Sequence, residues 1–207
     1  MNPTLAVFDF DGTLTRRDTL GPFLIRARGL SRVSVAALRN SVAIGRAAAG
    51  MGSRDTAKAL LLQRLFRNVS VVETTNVAAQ YATHILSSAM RSDTLARLDW
   101  HRTQGHELVL ITASLSLYTE PIARQLGITS VYATRLAHDG DRFTGKLVGA
   151  NVRGPEKARL LHAHLNGRHA TVYAYGDSSG DRELLAAATV ATNVKNLRVD
   201  ARPLEHA

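Results

Sequence analysis

Apolar residues change their period along this chain. Thr4 to Phe10 (TLAVFDF) is a short run of β-branched and aromatic side chains that stops at an aspartate and a glycine, and it reads as a buried strand. From about Thr19 to Met90 the spacing is helical. Leu20, Phe23, Leu24 and Ala27 recur at three and four residues, followed by Val35, Leu38 and Val42, by Leu60, Leu61, Leu65 and Phe66, and by Val77, Tyr81 and Ile85. Gly29, Gly50 and Gly52 punctuate this stretch and Ser31 and Ser53 are candidate helix caps, so three or four helices without a strand are expected.

After Met90 helices and strands alternate. Helices are expected at Thr94 to Gln104, Ser116 to Leu126, Pro155 to Leu165 and Asp181 to Ala188. Between them fall strands at Glu107 to Ile111, Val131 to Ala133, Thr171 to Tyr175 and Val190 to Thr192, with a hairpin over His138 to Gly149 turning at Asp139-Gly140-Asp141. Strands separated by helices imply a parallel sheet with right-handed crossovers. The expected architecture is an α/β core with a helical insertion after its first strand.

Composition narrows the class. A chain of 207 residues that is 45% hydrophobic can bury a real core, and the absence of cysteine excludes disulfides and thiolate metal sites. The longest uncharged stretch, Thr74 to Met90, is broken by Asn76, Gln80 and His84 and is no transmembrane helix, and the N-terminus has no secretory pattern. A soluble, cytoplasmic protein is expected, with peripheral attachment to a membrane as the open alternative. The net charge of +9 is concentrated: between Arg16 and Asn68 there are eleven basic residues and two acidic ones, Asp18 and Asp55, while the remainder is balanced. Such a segment attracts anions, whether substrate or surface.

Four polar clusters fall at the expected mouth of the sheet, where helix N-termini and loop amides converge. In DFDGT, Asp9 and Asp11 are two apart and face one way, and Gly12 permits a tight turn before Thr13. In ITAS, Thr112 closes the strand and Ala113 and Ser114 lead into a helix, small residues that leave amides free for an anion. Lys157, in GPEK, is one of four lysines in a chain that otherwise uses arginine. In GDSSGD, Asp177 and Asp181 add two acids, and so much negative charge calls for a cation. An all-oxygen carboxylate set favours Mg2+, and carboxylate, Mg2+, lysine and hydroxyl are the parts that in-line phosphoryl transfer needs.

These motifs, in this order, resemble those of the haloacid dehalogenase superfamily of phosphatases, in the branch with a helical cap that contains phosphoserine phosphatase. The resemblance covers nearly the whole chain. It implies a Rossmann-like parallel-sheet core (residues 1–15 and 91–207) carrying a helical-bundle cap (residues 16–90), and Mg2+-dependent hydrolysis of a phosphomonoester. By the same resemblance Asp9 is the nucleophile that becomes an aspartyl-phosphate. Asp11 protonates the leaving alkoxide and then activates water, while Thr112 and Lys157 hold the phosphoryl group. Gly12, Thr13, Ala113 and Ser114 complete the phosphate cradle. The Asp9 side chain, the Asp11 carbonyl and Asp177 ligate the metal, with Asp181 supporting its water shell. Asp11 must then carry a proton near neutrality, against an ordinary carboxyl pKa of about 3.9, and a crowd of carboxylates raises it.

The cap selects the substrate in this family. Asp18 stands where phosphoserine phosphatases have a glutamate for the substrate ammonium, and Lys58 roughly where they have a carboxylate-binding arginine. Thr112-Ala113-Ser114 replaces their Ser-Gly-Gly. The start DGTLTRRDTLGPFL is more similar to relatives that include a phosphatidylglycerophosphate phosphatase. Phosphoserine or a similar small phosphate ester is the expected substrate. The alternative is a phospholipid phosphate, met by a basic cap on an anionic membrane surface, with the amphipathic segment Val33 to Ala49 as the lipid-facing part. A non-catalytic nucleic-acid-binding protein is disfavoured, because the basic segment has few aromatics for stacking and because it leaves the convergent acids unexplained.

Overall fold

Leu5, Ala6, Val7 and Phe8 are wholly buried because the strand that carries them lies in the middle of a sheet covered on both faces. The computed structural model describes residues 3–196. In chain order its strands are β1 (Thr4–Phe8), β2 (Val69–Ser70), β3 (Glu107–Leu115), β4 (Ser130–Asp139), β5 (Arg142–Val148), β6 (Thr171–Gly176) and β7 (Val190–Asn193). The helices are α1 (Leu20–Arg28), α2 (Leu30–Arg39), α3 (Ser41–Ala48), α4 (Arg54–Phe66), α5 (Val71–Ser88), α6 (Ser92–Thr103), α7 (Ser116–Gln125), α8 (Pro155–Leu165) and α9 (Arg182–Ala186).

The sheet order is β2-β5-β4-β3-β1-β6-β7. The five strands from β4 to β7 in that order are mutually parallel. Alternation along β1 divides the core: Ala6 and Phe8 join the larger apolar cluster with Leu108, Leu110 and Tyr118, while Leu5 and Val7 pack with Val109, Ile111, Leu161 and Val172 on the other face. The fold is α/β and Rossmann-like, as expected.

Several boundaries differ from the sequence reading. The helical insertion has five helices among the described residues, and it does contain a strand: β2 pairs antiparallel with β5, which itself returns antiparallel on β4. Two residues of alternation leave no readable period. Ser31 caps nothing, since α2 begins at Leu30 after Gly29, whereas Ser53 does cap α4 by accepting from the amides of Asp55 and Thr56. Asp181 ends a 3₁₀ turn, Ser179–Asp181, before the short α9. The chain leaves and re-enters the core side by side, at an isolated bridge between Thr15 and Met90. No helix of the described residues is long and apolar enough to cross a membrane.

Candidate active site

A cavity of about 340 Å3 opens at the C-terminal ends of β1, β3 and β6, and its wall includes Asp9, Asp11, Gly12, Thr112, Lys157, Asp177 and Asp181. Parallel pairing puts these strand ends level, so residues more than a hundred positions apart meet. Asp9 immediately follows β1, and its amide continues the ladder by donating to the Tyr175 carbonyl at 3.0 Å. Lys157 rises from the first turn of α8, buried, and donates to Asp9 Oδ1 at 2.6 Å and to Asp181 Oδ1 at 2.5 Å. The other oxygen of Asp181 accepts from the Ser178 amide and hydroxyl at 3.0 and 2.8 Å and from the Asp177 amide at 3.2 Å. That carboxylate is thus the hub that ties the lysine to the β6 loop.

Charge and burial set the protonation states. Burial works against the Lys157 charge, but Asp9 and Asp181 outweigh it and hold its pKa above the ordinary lysine value. Burial raises Asp9, with Lys157 pulling the other way, while for Asp181 the attraction and hydrogen bonds of Lys157 and Ser178 overcome burial and its pKa falls. Asp11 is pushed up to about 7, chiefly by burial, against the hydrogen bonds of Ser114 and Thr19. Its Oδ1 accepts from the Thr19 amide at 2.9 Å and hydroxyl at 2.6 Å, and its Oδ2 accepts from the Ser114 hydroxyl. Hydroxyls can donate or accept, so both partners suit either protonation state of this carboxyl.

Oxygens of Asp9, Asp177 and Asp181 lie within 4.8 Å of one another. Three carboxylates so placed, with no nitrogen or sulfur donor, fit a hard divalent cation such as Mg2+. Gly12 makes the approach possible: it has φ +74°, and a Cβ there would stand 2.5 Å from Asp177 Oδ2. Gly176 does the same behind Asp181, whose Cβ a side chain would meet at 2.5 Å.

Residues 6–186 match the family model described as haloacid dehalogenase-like hydrolase. The chain belongs to this family. The hydrolase is 36% identical over 187 residues to protein CicA of Caulobacter vibrioides, covering 90% of this chain and 83% of that one. Its fold is similar to that of a protein of unknown function from Bordetella pertussis Tohama I, with a TM-score of 0.78 at 25% identity over 91% of this chain and 88% of the other. It is also similar to a phosphoserine phosphatase solved as a phospho-aspartyl intermediate analogue, with a TM-score of 0.64 at 16% identity over 91% and 84% of the two chains.

Not every expected residue of the hydrolase reaches the cavity. Asp9, Asp11, Gly12, Asp18, Thr112, Ala113, Asp177 and Asp181 line it together with Lys157. Thr13 does not: its amide donates into the turn to Phe10 and its hydroxyl is buried without a partner, because the turn folds that side chain inward. Ser114 is likewise engaged, its amide with Thr112 Oγ1 at 3.1 Å and its hydroxyl with Asp11, and it is not on the cavity wall. Asp18 is exposed at the rim and accepts from the Leu20 and Gly21 amides at the start of α1.

Lys58 departs from the expected substrate contact. It is absent from the cavity wall and donates to the Ala113 carbonyl at 2.5 Å and to Asn151 Oδ1 at 2.7 Å. Asn151 Nδ2 in turn donates to Asp55 Oδ1 at 2.7 Å. This network latches α4 of the helical insertion to the sheet, and burial lowers the Lys58 pKa to about 8. Three cations that the motifs left out, Arg16, Arg17 and Arg153, do line the cavity. The first two directly follow the DGTLT turn, and Arg153 stands two residues before Pro155 of the GPEK helix; adjacency to the motifs was the available signal.

Proposed function

We propose that this hydrolase, a phosphatase by its fold and motifs, cleaves a small phosphomonoester through an aspartyl-phosphate on Asp9, with Mg2+ as cofactor. The observation that carries this reading is the placement of Asp9 in one cavity with Lys157 at 2.6 Å, the Asp177 carboxylate and the raised carboxyl of Asp11. Lys157 holds Asp9 Oδ1, which leaves the second oxygen to attack phosphorus in line while the ester P–O bond breaks. Asp11 gives its proton to the departing alkoxide, then as a carboxylate takes one from the water that attacks the aspartyl-phosphate, releasing phosphate and restoring Asp9. Arg16, Arg17, Arg153 and Lys157 set four positive charges on the wall to draw in the phosphate. When bound, Mg2+ among Asp9, Asp177 and Asp181 supplies charge neutralisation of the phosphoryl oxygens and lets these acids stay ionised together.

Residues 16–90 act in this reading as a cap that closes over the leaving group, hinged at the paired crossings near Thr15 and Met90. Asp18 at the rim suits a substrate that carries an ammonium group, as phosphoserine does. The test is release of inorganic phosphate from phosphoserine, other small esters and micellar phosphatidylglycerophosphate or lysophosphatidate, with Mg2+ and with chelator. Chelator-sensitive turnover favouring a small ester supports the reading. Turnover that ignores chelation contradicts the metal site, and strict preference for the lipid phosphates contradicts the small-ester assignment.

A further inference from the structure

The positive charge excess of the chain does not end in the active-site cavity. Five arginines gather on the helical insertion, where two adjoining clefts run between α4 and the α2–α3 pair. One, of about 380 Å3, is lined by Arg28, Arg32, Arg39 and Arg64 together with Ser31, Val35, Ala36 and Leu65. The other, of about 360 Å3, shares Arg39 and Arg64 and adds Arg46 and Val42. No acidic residue lines either cleft, and among the described residues none of these five arginines is in an ion pair. Arg28 donates through Nε to the Leu65 carbonyl and Arg64 to Asn40 Oδ1, so the backbone and an amide hold the two in place. Burial and the neighbouring Arg32 charge push the Arg28 pKa down.

The segment that carries these arginines is also rich in exposed apolar side chains, and two of them, Val35 and Val42, line the clefts. Seven of the nine large hydrophobic side chains that stand exposed among the described residues fall between Ile25 and Met51, with Leu38 at 74% and Val42 at 75%. On α2, Arg32, Val35 and Arg39 recur at three and four residues and form one stripe, and Leu38, three beyond Val35, flanks it. Exposed aliphatics beside unpaired arginines match a surface with anionic groups above a hydrocarbon layer.

We propose that the α2–α3 face of the insertion docks on anionic phospholipid, with headgroup phosphates seated among Arg28, Arg32, Arg39 and Arg64 and with Leu38 and Val42 entering the acyl boundary. A nucleic acid fits less well: no aromatic side chain lines the clefts, Phe23 and Phe66 are buried, and exposed leucine and valine gain nothing from a polyanion in water. The docking face is separate from the cavity that holds Asp9 and does not depend on the reaction proposed there.

Co-sedimentation of the full chain tests it, with vesicles of phosphatidylcholine alone and of phosphatidylcholine with phosphatidylglycerol, a short DNA duplex, and inorganic phosphate as competitor at fixed ionic strength. Binding is expected only to the anionic vesicles and weakens with salt. Neutralising two arginines in Arg32→Gln/Arg39→Gln lowers it about thirty-fold, from about 1 kcal/mol per basic side chain near such a surface. Leu38→Asp weakens it as well, and both variants keep the thermal midpoint and any soluble-ester turnover of the parent. The proposal is overturned if anionic vesicles do not bind, if the arginine variant binds as the parent does, if millimolar phosphate displaces the vesicles, or if DNA binds more tightly while Leu38→Asp changes nothing.

Discussion

Gly12→Ala separates the metal site from mere foldedness. The residue has φ +74°, so any side chain costs roughly 1–2 kcal/mol of backbone strain. For a chain of this size that lowers the thermal midpoint by roughly 2–8 °C. The added Cβ has a second effect, because it would lie 2.5 Å from Asp177 Oδ2 where ordinary contact begins at 3.4 Å. The carboxylate must retreat by most of an ångström, whereas metal–ligand distances tolerate about 0.2 Å. A misplaced ligand of this kind costs about 10- to 100-fold in metal affinity. Gly50→Ala is the matched control, since Gly50 has the same φ of +74° and nothing within 4 Å of its would-be Cβ. Thermal melts and Mg2+ titrations of phosphate release should show both variants losing similar stability and only Gly12→Ala needing at least about tenfold more Mg2+. Equal Mg2+ requirements in the two variants would refute the placement of the metal beside Asp177.

Other consequences follow from the protonation states. With Asp11 at about 7 and required as an acid, kcat/KM on an alkyl phosphate falls about tenfold per pH unit above that value, and Asp11→Asn loses about 10²–10⁴-fold there but less on p-nitrophenyl phosphate, whose leaving group needs no proton. A profile that stays flat to pH 9 contradicts the role. Lys157→Met strands Asp9 and Asp181 in a buried site without a counter-charge, which costs about 3–5 kcal/mol and should drop the thermal midpoint by about 10 °C; an unchanged midpoint contradicts the ion-pair account. His101 is buried, 2.7 Å from His106 Nδ1 and 2.8 Å from the Tyr175 hydroxyl, and burial lowers its pKa to about 3. The unfolded chain takes up its proton below about pH 6.5 and the folded one does not, so this residue removes about 1.4 kcal/mol of stability per pH unit from 6.5 downward. The raised carboxyls of Asp9 and Asp11 act in the opposite sense, so the slope is read by urea unfolding at pH 7 and 5 in an Asp9→Asn/Asp11→Asn background, where equal stability at both values refutes it.

Legibility in the sequence followed the range of the interactions. The β1 run and the TVYAY strand were visible because a central parallel strand is buried on both faces and needs unbroken apolar residues. The acids of DFDGT and GDSSGD were placed by their strand ends, which the parallel sheet brings level. The helix break at Asn40 carries no glycine or proline, and there the Asn40 side chain accepts from Arg64 of α4, a contact no local pattern reveals. The same holds for Lys58, whose partners Ala113 and Asn151 lie 55 and 93 residues away. Thr19, which holds both the Asp11 carboxylate and the Tyr81 hydroxyl, stood in the sequence only as the start of the helical stretch. Thr13 and Ser114 belong to motif positions, but the turn after β1 directs Thr13 inward, and Ser114, at the irregular end of β3, is turned onto Asp11.

Acid quenching in the first turnover, with a radiolabelled phosphomonoester and Mg2+, measures the central claim directly. Label should appear on the protein, map to the peptide containing Asp9, and be absent from Asp9→Asn, which releases no phosphate while keeping the parent fold by circular dichroism. Phosphate release that proceeds without any labelled protein, or that survives near the parent rate in Asp9→Asn, would contradict the assignment of Asp9 as the nucleophile.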